Sequence, residues 1–223
     1  MPDSRSEFVR QRFERDARDF DAIYRLERSP WSRWFNKIFR KAIFDRYDLA
    51  FREAGDVTGK NVLDVGCGSG VYSVDFARHG ARRVLGIDFS ANMLRIARSE
   101  AERHGVTDRC EFLQANFLDA KLDPEFDVAI AMGVFDYLAD PVTFLRKMAS
   151  VTRGHLIASF PGHSMIRERA RKLRYAVSGR GVVFFYSEAD VRKLAADAGV
   201  TIRRLIPISS SGTGFILVAE GRA

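Results

Sequence analysis

The chain has few of the residues that mark secreted, metal-bound or membrane-spanning proteins. It contains 2 cysteines and 4 histidines among 223 residues, which provide neither a disulfide framework nor a cluster with metal-ligand spacing. No apolar run reaches the roughly 20 residues of a membrane-spanning helix, and the first residues lack the apolar stretch of a secretory signal. These absences predict a cytoplasmic protein that needs no metal.

The composition is that of an ordinary folded domain. Hydrophobic residues make up 46% of the chain, enough for one sizeable core, and short apolar runs alternate with helical patterns. This alternation predicts a single α/β domain with appendages. The net charge of +7 is unevenly spread, because residues 161–223 hold 11 Lys or Arg and 5 Asp or Glu.

A glycine-rich segment follows the apolar pair Val62-Leu63 and reads Asp64-Val65-Gly66-Cys67-Gly68-Ser69-Gly70. Glycines between a strand and a helix let the backbone approach a ligand closely. The dinucleotide fingerprint Gly-x-Gly-x-x-Gly would need glycine at position 71, where the chain has Val71. A tight turn that binds no ligand is the alternative interpretation.

The Asp-x-Gly-x-Gly-x-Gly form resembles the first motif of the class I S-adenosylmethionine-dependent methyltransferases. The resemblance covers about residues 55–220 and implies S-adenosylmethionine as the cofactor. It places Asp64 near the methionine part of that cofactor. The residues that it places along the amino-acid end and the ribose are Gly66, Cys67, Gly68 and Gly70.

A second acid supports an adenosine ligand. The apolar run from Val84 ends in Asp88, after a predicted helix from about Val71 to His79. A carboxylate at the tip of the second strand can accept two hydrogen bonds from a ribose diol. Alternatively, Asp88 is part of a helix cap. The neighbouring Phe89 and Met93 are also predicted cofactor-binding residues.

A third strand, Cys110 to Leu113, is followed by Asn116 and Phe117. In the resembled family an acid at this turn usually bonds the adenine amino group. Asn116 departs from that pattern, although an amide oxygen can still accept this bond. Phe117 is predicted either to stack on the base or to be an ordinary core residue.

The fourth strand, Phe126 to Met132, leads into a turn that we expect to face the transferred methyl group. Met132 is therefore a predicted cofactor-binding residue. The turn lacks the Asn/Asp-Pro-Pro-Tyr/Phe tetrapeptide of methyltransferases that act on amide or adenine nitrogens. Asp136 and Tyr137 are the candidates for orienting or deprotonating a nucleophile. For Asp136, a helix cap or a surface acid is the alternative.

A basic amphipathic segment spans about residues 163–180, directly after the predicted fifth strand, Leu156 to Phe160. If it is helical, Arg167, Arg171 and Arg174 share a face and can hold an anionic acceptor. The same face suits an anionic membrane, nucleic acid or plain solvent. His163 is added as a catalytic candidate and Tyr186 as a substrate-binding candidate, although a structural role competes for both.

The ends of the chain complete the predicted domain organisation. Residues 1–55 are rich in aromatics at helical spacing, and the resemblance implies that they form a helical lid, with packing against the domain as the alternative. Residues 56–223 are predicted to form the methyltransferase domain, with a basic helical insertion at about 162–182. The resemblance implies a doubly wound, seven-stranded, mostly parallel sheet whose last strand is antiparallel.

The predicted function is methyl transfer to a small-molecule acceptor, with oxygen as the favoured target and an acidic or phosphate-bearing acceptor as an option. Nucleic acid is less favoured because the arginine run lacks interleaved aromatics. Two alternatives stay open: a methyltransferase acting on RNA or another polyanion, and a non-catalytic S-adenosylmethionine-binding module.

Overall fold

The computed structural model describes residues 44–123, 125–162, 184–208 and 214–222. The elements in chain order are α1 (residues 44–54), β1 (Asn61–Val65), α2 (Val71–Arg78), β2 (Arg83–Asp88), α3 (Ala91–Arg103), β3 (Cys110–Gln114), β4 (Phe126–Ala131), α4 (Pro141–Ser150), β5 (Thr152–Pro161), α5 (Glu188–Ala198), β6 (Ile202–Pro207) and β7 (Gly214–Glu220).

The strands form one 7-stranded sheet in the order β3-β2-β1-β4-β5-β7-β6. The pairs from β3 through β5 are parallel, whereas β7 runs antiparallel to both β5 and β6. The chain order reverses direction across the sheet between β1 and β4. Ligands of open α/β sheets bind at such a switch point, beyond the carboxyl ends of the strands.

Both faces of the sheet are buried, and successive residues of a strand serve opposite faces. Leu63 and Leu85 belong to the core beneath α4 and α5, whereas Val62 and Val84 belong to the core beneath α1 and α2. Parallel strands covered on both sides read as continuous apolar runs, which explains why the sequence shows little alternation there. The sheet is therefore a rigid support for the loops at its carboxyl edge.

Local signals set the helix ends. The side chains of Ser90 and Asp140 accept hydrogen bonds from the backbone at Met93 and Thr143, at the starts of α3 and α4. At the start of α5, Ser187 and Asp190 form a reciprocal capping box, and Gly199 ends the helix in the left-handed conformation. These polar residues satisfy amide groups that the helices leave open.

Helix α1 packs on α2 through aromatic side chains. The Phe51 ring stacks on Phe76 with centroids 4.3 Å apart, and Tyr47 lies 4.6 Å from Phe51. The Tyr47 hydroxyl donates to Asp75 at 2.6 Å, and an ion pair joins Glu53 to Arg204 on β6 at 2.9 Å. Apolar contact, a hydrogen bond and an ion pair thus fix α1 to the domain.

The predicted fold class is confirmed, including the antiparallel last strand. For residues 44–54, the alternative of packing against the domain accounts for Tyr47 and Phe51. The rest of the predicted lid and the insertion at about 162–182 lie outside the described residues, apart from Gly162. The division at residue 55 stays a prediction. No helix within the described ranges has the length and apolarity to cross a membrane.

We expect Phe51→Ala to lower the free energy of unfolding by about 2–3 kcal/mol, because it removes a ring that packs on Phe76 and leaves a cavity. Urea unfolding followed by circular dichroism measures the change. The matched control is Phe44→Ala on the same helix, where the side chain is 60% exposed and the expected loss is below about 0.5 kcal/mol. Equal losses in the two variants would show that α1 is not anchored through Phe51.

Candidate active site

The glycine loop between β1 and α2 is held by the end of β2. The amides of Gly66 and Cys67 both donate to the Ile87 carbonyl, at 2.7 and 3.1 Å. Gly66, Gly68 and Gly70 all have positive φ, at 70°, 53° and 80°. That conformation is unfavourable for residues with a side chain, so the motif glycines are required by the backbone path itself.

Each glycine also has a different steric setting. A Cβ at Gly66 would lie 2.5 Å from Val134 Cγ2, and one at Gly70 would lie 2.8 Å from Ala97 Cβ. A Cβ at Gly68 would meet nothing within 4 Å. The loop is thus packed tightly against the protein at Gly66 and Gly70 and open at Gly68, where a ligand can reach the backbone.

Asp88 ties the loop to the start of α3. Its Oδ2 accepts from the Gly68 amide at 2.9 Å, and its Oδ1 accepts from the Ser90 amide at 2.8 Å. The N-cap of α3 is Ser90, so Asp88 supports the cap from two positions before it. These two bonds fix the carboxylate at the tip of β2, the position at which the sequence predicts a contact with a ribose diol.

Asp64 is buried beneath α2 rather than at the surface. Its carboxyl group is 1% exposed and accepts from Ser73 Oγ at 2.6 Å. The pKa of Asp64 is raised to about 7, mainly by burial and in part by the charge of Asp88, although the hydrogen bond from Ser73 opposes this shift. The Cys67 thiol is also buried, and desolvation raises its pKa well above the usual range. The carboxyl groups of Asp64 and Asp88 and the thiol of Cys67 thus lie close together at the glycine loop.

The turn after β3 is fixed by its own polar groups. Asn116 is exposed; its Oδ1 accepts from the Leu118 amide at 3.2 Å, and its Nδ2 donates to Asp119 at 2.9 Å. The ring of Phe117 is 4% exposed and lies 4.9 Å from the Phe144 ring. Phe117 is thus a core residue, and a contact between either side chain and adenine stays a prediction.

The turn after β4 lies directly against the glycine loop, because Val134 is the residue that Gly66 approaches. The amide of Gly133 donates to Ser159 Oγ on β5 at 2.8 Å, and Gly133 has a φ of 77°. The turn after β4 and the glycine loop are therefore neighbours, and the expectation that this turn faces the transferred methyl group stays a prediction.

The candidate catalytic residues occupy this same turn. Asp136 is 9% exposed and its carbonyl accepts from the Phe184 amide at 2.9 Å. Tyr137 is half-buried, and its amide donates to the Val134 carbonyl at 3.0 Å. The Tyr186 hydroxyl donates to the Phe135 carbonyl at 3.1 Å, which supports the turn from behind. Burial, followed by the charges of Asp136 and Asp190, raises the pKa of Tyr186 to about 12.

The remaining predicted residues fall into two groups. Phe89 and Met132 are half-buried near the carboxyl ends of β2 and β4, and Met93 is buried in the first turn of α3. The predicted residues that lie outside the described ranges are His163, Arg167, Arg171 and Arg174. Among the described residues, no three His, Cys, Asp or Glu side chains are grouped so that they could hold a metal ion.

A family described as "Methyltransferase domain" matches residues 56–197. This match spans more than half of the chain and includes β1 through α5. The chain belongs to the methyltransferase domain family. The sequence-based prediction of an S-adenosylmethionine-dependent methyltransferase with S-adenosylmethionine as its cofactor is thereby confirmed.

Curated relatives of this methyltransferase differ in what they act on. A ribosomal protein L11 methyltransferase of Aeromonas hydrophila is 41% identical over 108 residues, which cover 48% of this chain and 34% of that protein. A ubiquinone biosynthesis O-methyltransferase of Ralstonia nicotianae is 35% identical over 125 residues, which cover 55% and 50%. The methyltransferase thus spans half or less of the length of these relatives.

A solved structure extends the comparison over nearly the whole chain. Magnesium protoporphyrin IX methyltransferase from Synechocystis PCC 6803, with bound SAH, superposes with a TM-score of 0.78 at 23% identity. The alignment covers 97% of this chain and 100% of that one. At this identity the likeness supports the fold alone.

The residues of this methyltransferase fit S-adenosylmethionine at the glycine loop. The open side of Gly68 admits a ligand, and Asp88 at the tip of β2 provides a carboxylate of the kind that binds ribose hydroxyls. Asp64 lies beneath the loop and accepts from Ser73 on α2, and its position near the methionine part of the cofactor stays a prediction. Gly68 and Asp88 would hold the cofactor.

Sequence reasoning missed several residues that build the site. Ser73 anchors Asp64, Ser159 anchors Gly133, and Val134 contacts the cofactor loop. Lys147 on α4 donates to the carbonyls of Leu118 and Ala120, at 2.8 and 2.5 Å, and so fixes the turn after β3. Of these residues, only Ser73 could have been predicted from the neighbouring sequence, because it lies in the first turn of the helix that follows the glycine motif.

We predict that Asp64 makes the cofactor-free protein less stable as the pH rises from about 5 to 7. Its pKa is about 7 when folded, whereas an unfolded Asp titrates near about 4. The folded state therefore holds a proton that the unfolded state has lost, and this stabilisation disappears as the pH approaches 7. Asp64→Asn, which mimics the protonated acid, should remove this fall, which is about 3 kcal/mol at most over these two pH units.

Chemical denaturation across this pH range gives the measurement. The control is Asp140→Asn, because the hydrogen bond from Thr143 lowers the pKa of Asp140 and places its titration below this range. An identical pH slope in the wild type and Asp64→Asn would show that Asp64 is not the group responsible.

Proposed function

We propose that this methyltransferase transfers a methyl group to an oxygen atom of a small-molecule acceptor. The observation that carries the proposal is the contact between Gly66 and Val134, which joins the cofactor loop to the turn that bears Asp136 and Tyr137. A hydroxyl group needs removal of a proton as it attacks, and a buried carboxylate next to the transfer position is suited to this.

The proposed mechanism needs three contributions from the protein. S-adenosylmethionine supplies an electrophilic methyl group on a positively charged sulfur. The glycine loop and Asp88 set the position of the donor, and the turn from Gly133 to Tyr137 aligns the acceptor. Asp136 accepts the hydroxyl proton, while the apolar cover of Phe135 and Val134 keeps water away.

Two further observations favour oxygen and a small acceptor. The turn after β4 has no Asn/Asp-Pro-Pro-Tyr/Phe tetrapeptide. The Ralstonia relative is named an O-methyltransferase of ubiquinone biosynthesis. The Aeromonas relative is named for a ribosomal protein, and a protein substrate is therefore an outcome that the acceptor screen must include.

A methyltransferase acting on RNA is the second candidate, favoured by the arginines between residues 163 and 180. Neutralising phosphates with arginines makes binding fall steeply with salt, whereas a small acceptor binds with little salt dependence. The acidic acceptor, the cytoplasmic location, the option of peripheral contact with an anionic membrane and the roles of His163, Arg167, Arg171, Arg174 and Tyr186 stay predictions.

Calorimetry with S-adenosylmethionine and S-adenosylhomocysteine tests the cofactor site. Asp88→Asn should weaken the binding of both by about 10- to 100-fold, because it removes a charge-assisted acceptor from the ribose and the loop. Asp108→Asn should leave affinity unchanged, because the Asp108 side chain is 75% exposed and pairs with Arg109. Absence of binding to the wild type would overturn both the proposed function and the non-catalytic alternative.

A screen of methyl acceptors, read out by product mass spectrometry, tests the chemistry. On the best substrate, Asp136→Asn should lower kcat by about 10²- to 10⁴-fold, with little change in the affinity for S-adenosylmethionine. Asp140→Asn, four residues further on at an exposed helix cap, should retain activity. Full activity of Asp136→Asn would remove Asp136 as the base, and a product methylated on nitrogen or carbon would refute O-methylation.

A further inference from the structure

We propose that Arg46 on α1 binds an anionic group of the methyl acceptor next to the reacting atom. The inference rests on the proposed function and specifies its substrate class: a small molecule that bears a carboxylate or phosphate near the methylated position. The helix that carries Arg46 precedes the family match at residues 56–197, so the family itself says nothing about this residue.

The position of Arg46 follows from a chain of contacts that starts at the cofactor loop. Gly66 approaches Val134, and the preceding residue, Gly133, faces the Arg46 guanidinium. A Cβ on Gly133 would lie 3.3 Å from Arg46 Nη1 and 3.9 Å from its Cζ. The guanidinium therefore occupies the space that the missing side chain leaves, at the end of β4.

Arg46 is held there by the docking of α1. The next residue, Tyr47, donates to Asp75 of α2 at 2.6 Å, and Phe51 stacks on Phe76 one helical turn later. Near the other end of the helix, Glu53 pairs with Arg204. These anchors limit the conformational entropy that Arg46 loses when it binds a ligand, since its backbone is already fixed.

The acids at this edge of the sheet favour a nearby cation. Asp88 and Asp136, near the ends of β2 and β4, are each less than one-tenth exposed. Negative charge on such buried acids would repel an anionic acceptor unless a positive group lay close to the charge of that acceptor. A guanidinium has five N–H donors in a planar fork, which matches a carboxylate or phosphate and leaves donors for other partners.

The experiment measures acceptor binding rather than turnover, so that it is independent of the catalytic base. Calorimetry compares each acid with a neutral counterpart of closely similar shape: protocatechuate with its amide, and glucuronate with glucuronamide. A third pair, geranyl phosphate and geraniol, tests removal of the whole phosphate group. The full chain is saturated with S-adenosylhomocysteine, and every titration is repeated without it. The wild type should prefer the acid in at least one pair by about 10-fold or more.

Three variants separate recognition from structure. Arg46→Gln should abolish the preference for the acid and leave the affinity for the neutral partner unchanged. Arg46→Lys, which keeps the charge and loses the planar fork, should retain part of the preference. Arg52→Gln is the matched control, because Arg52 lies on the same helix with its side chain 63% exposed, and it should bind like the wild type.

Several results would overturn the proposal. They are a wild type that distinguishes no pair, an Arg46→Gln variant that keeps the preference, and an Arg52→Gln variant that loses it equally. If Arg46→Gln does not fold, as judged by thermal unfolding, a wild-type preference in Arg46→Lys would also count against it. If the wild type does not bind S-adenosylhomocysteine, the proposed function is refuted. The proposal for Arg46 is then still decided by the titrations that contain no S-adenosylhomocysteine.

Discussion

The last two residues of β2 hold the cofactor loop, and the rest of the site depends on them. The Ile87 carbonyl accepts from two loop amides, and the Asp88 carboxylate accepts from Gly68 and from the start of α3. One short segment thus connects the loop, the sheet and a helix start.

The site combines this fixed binding position for the methyl donor with a binding surface for the methyl acceptor, which distant parts of the chain form. The turn after β4 is supported by Ser159 from β5, by Tyr186 from the segment before α5 and by Arg46 from α1. Positioning dominates methyl transfer, because the protein gains most by aligning two reactants and excluding water. Such alignment requires rigid neighbours, and here each neighbour is itself anchored in one of the two cores or by a specific hydrogen bond.

Sequence reasoning was reliable where the signal was local. The glycine motif and the apolar runs predicted the loop and the strands β2, β3 and β4 closely, because backbone conformation depends on adjacent residues. Sequence reasoning was less reliable for side chains that can point either into the core or toward the ligand. Phe117 faces the core, and Asp64 points to Ser73. Arg46 had no signal at all, because its position depends on how α1 packs on α2, and a contact between residues 46 and 133 has no local pattern.

The bridge between Gly162 and Tyr186 brings together the two ends of the segment that contains residues 163–183. The Tyr186 amide also donates to the Pro161 carbonyl at 2.8 Å, so the entry and exit points are closed independently of what lies between them. The entropy cost of closing a loop grows only slowly with its length. Changes in the length of the chain between these points would therefore cost the sheet little stability.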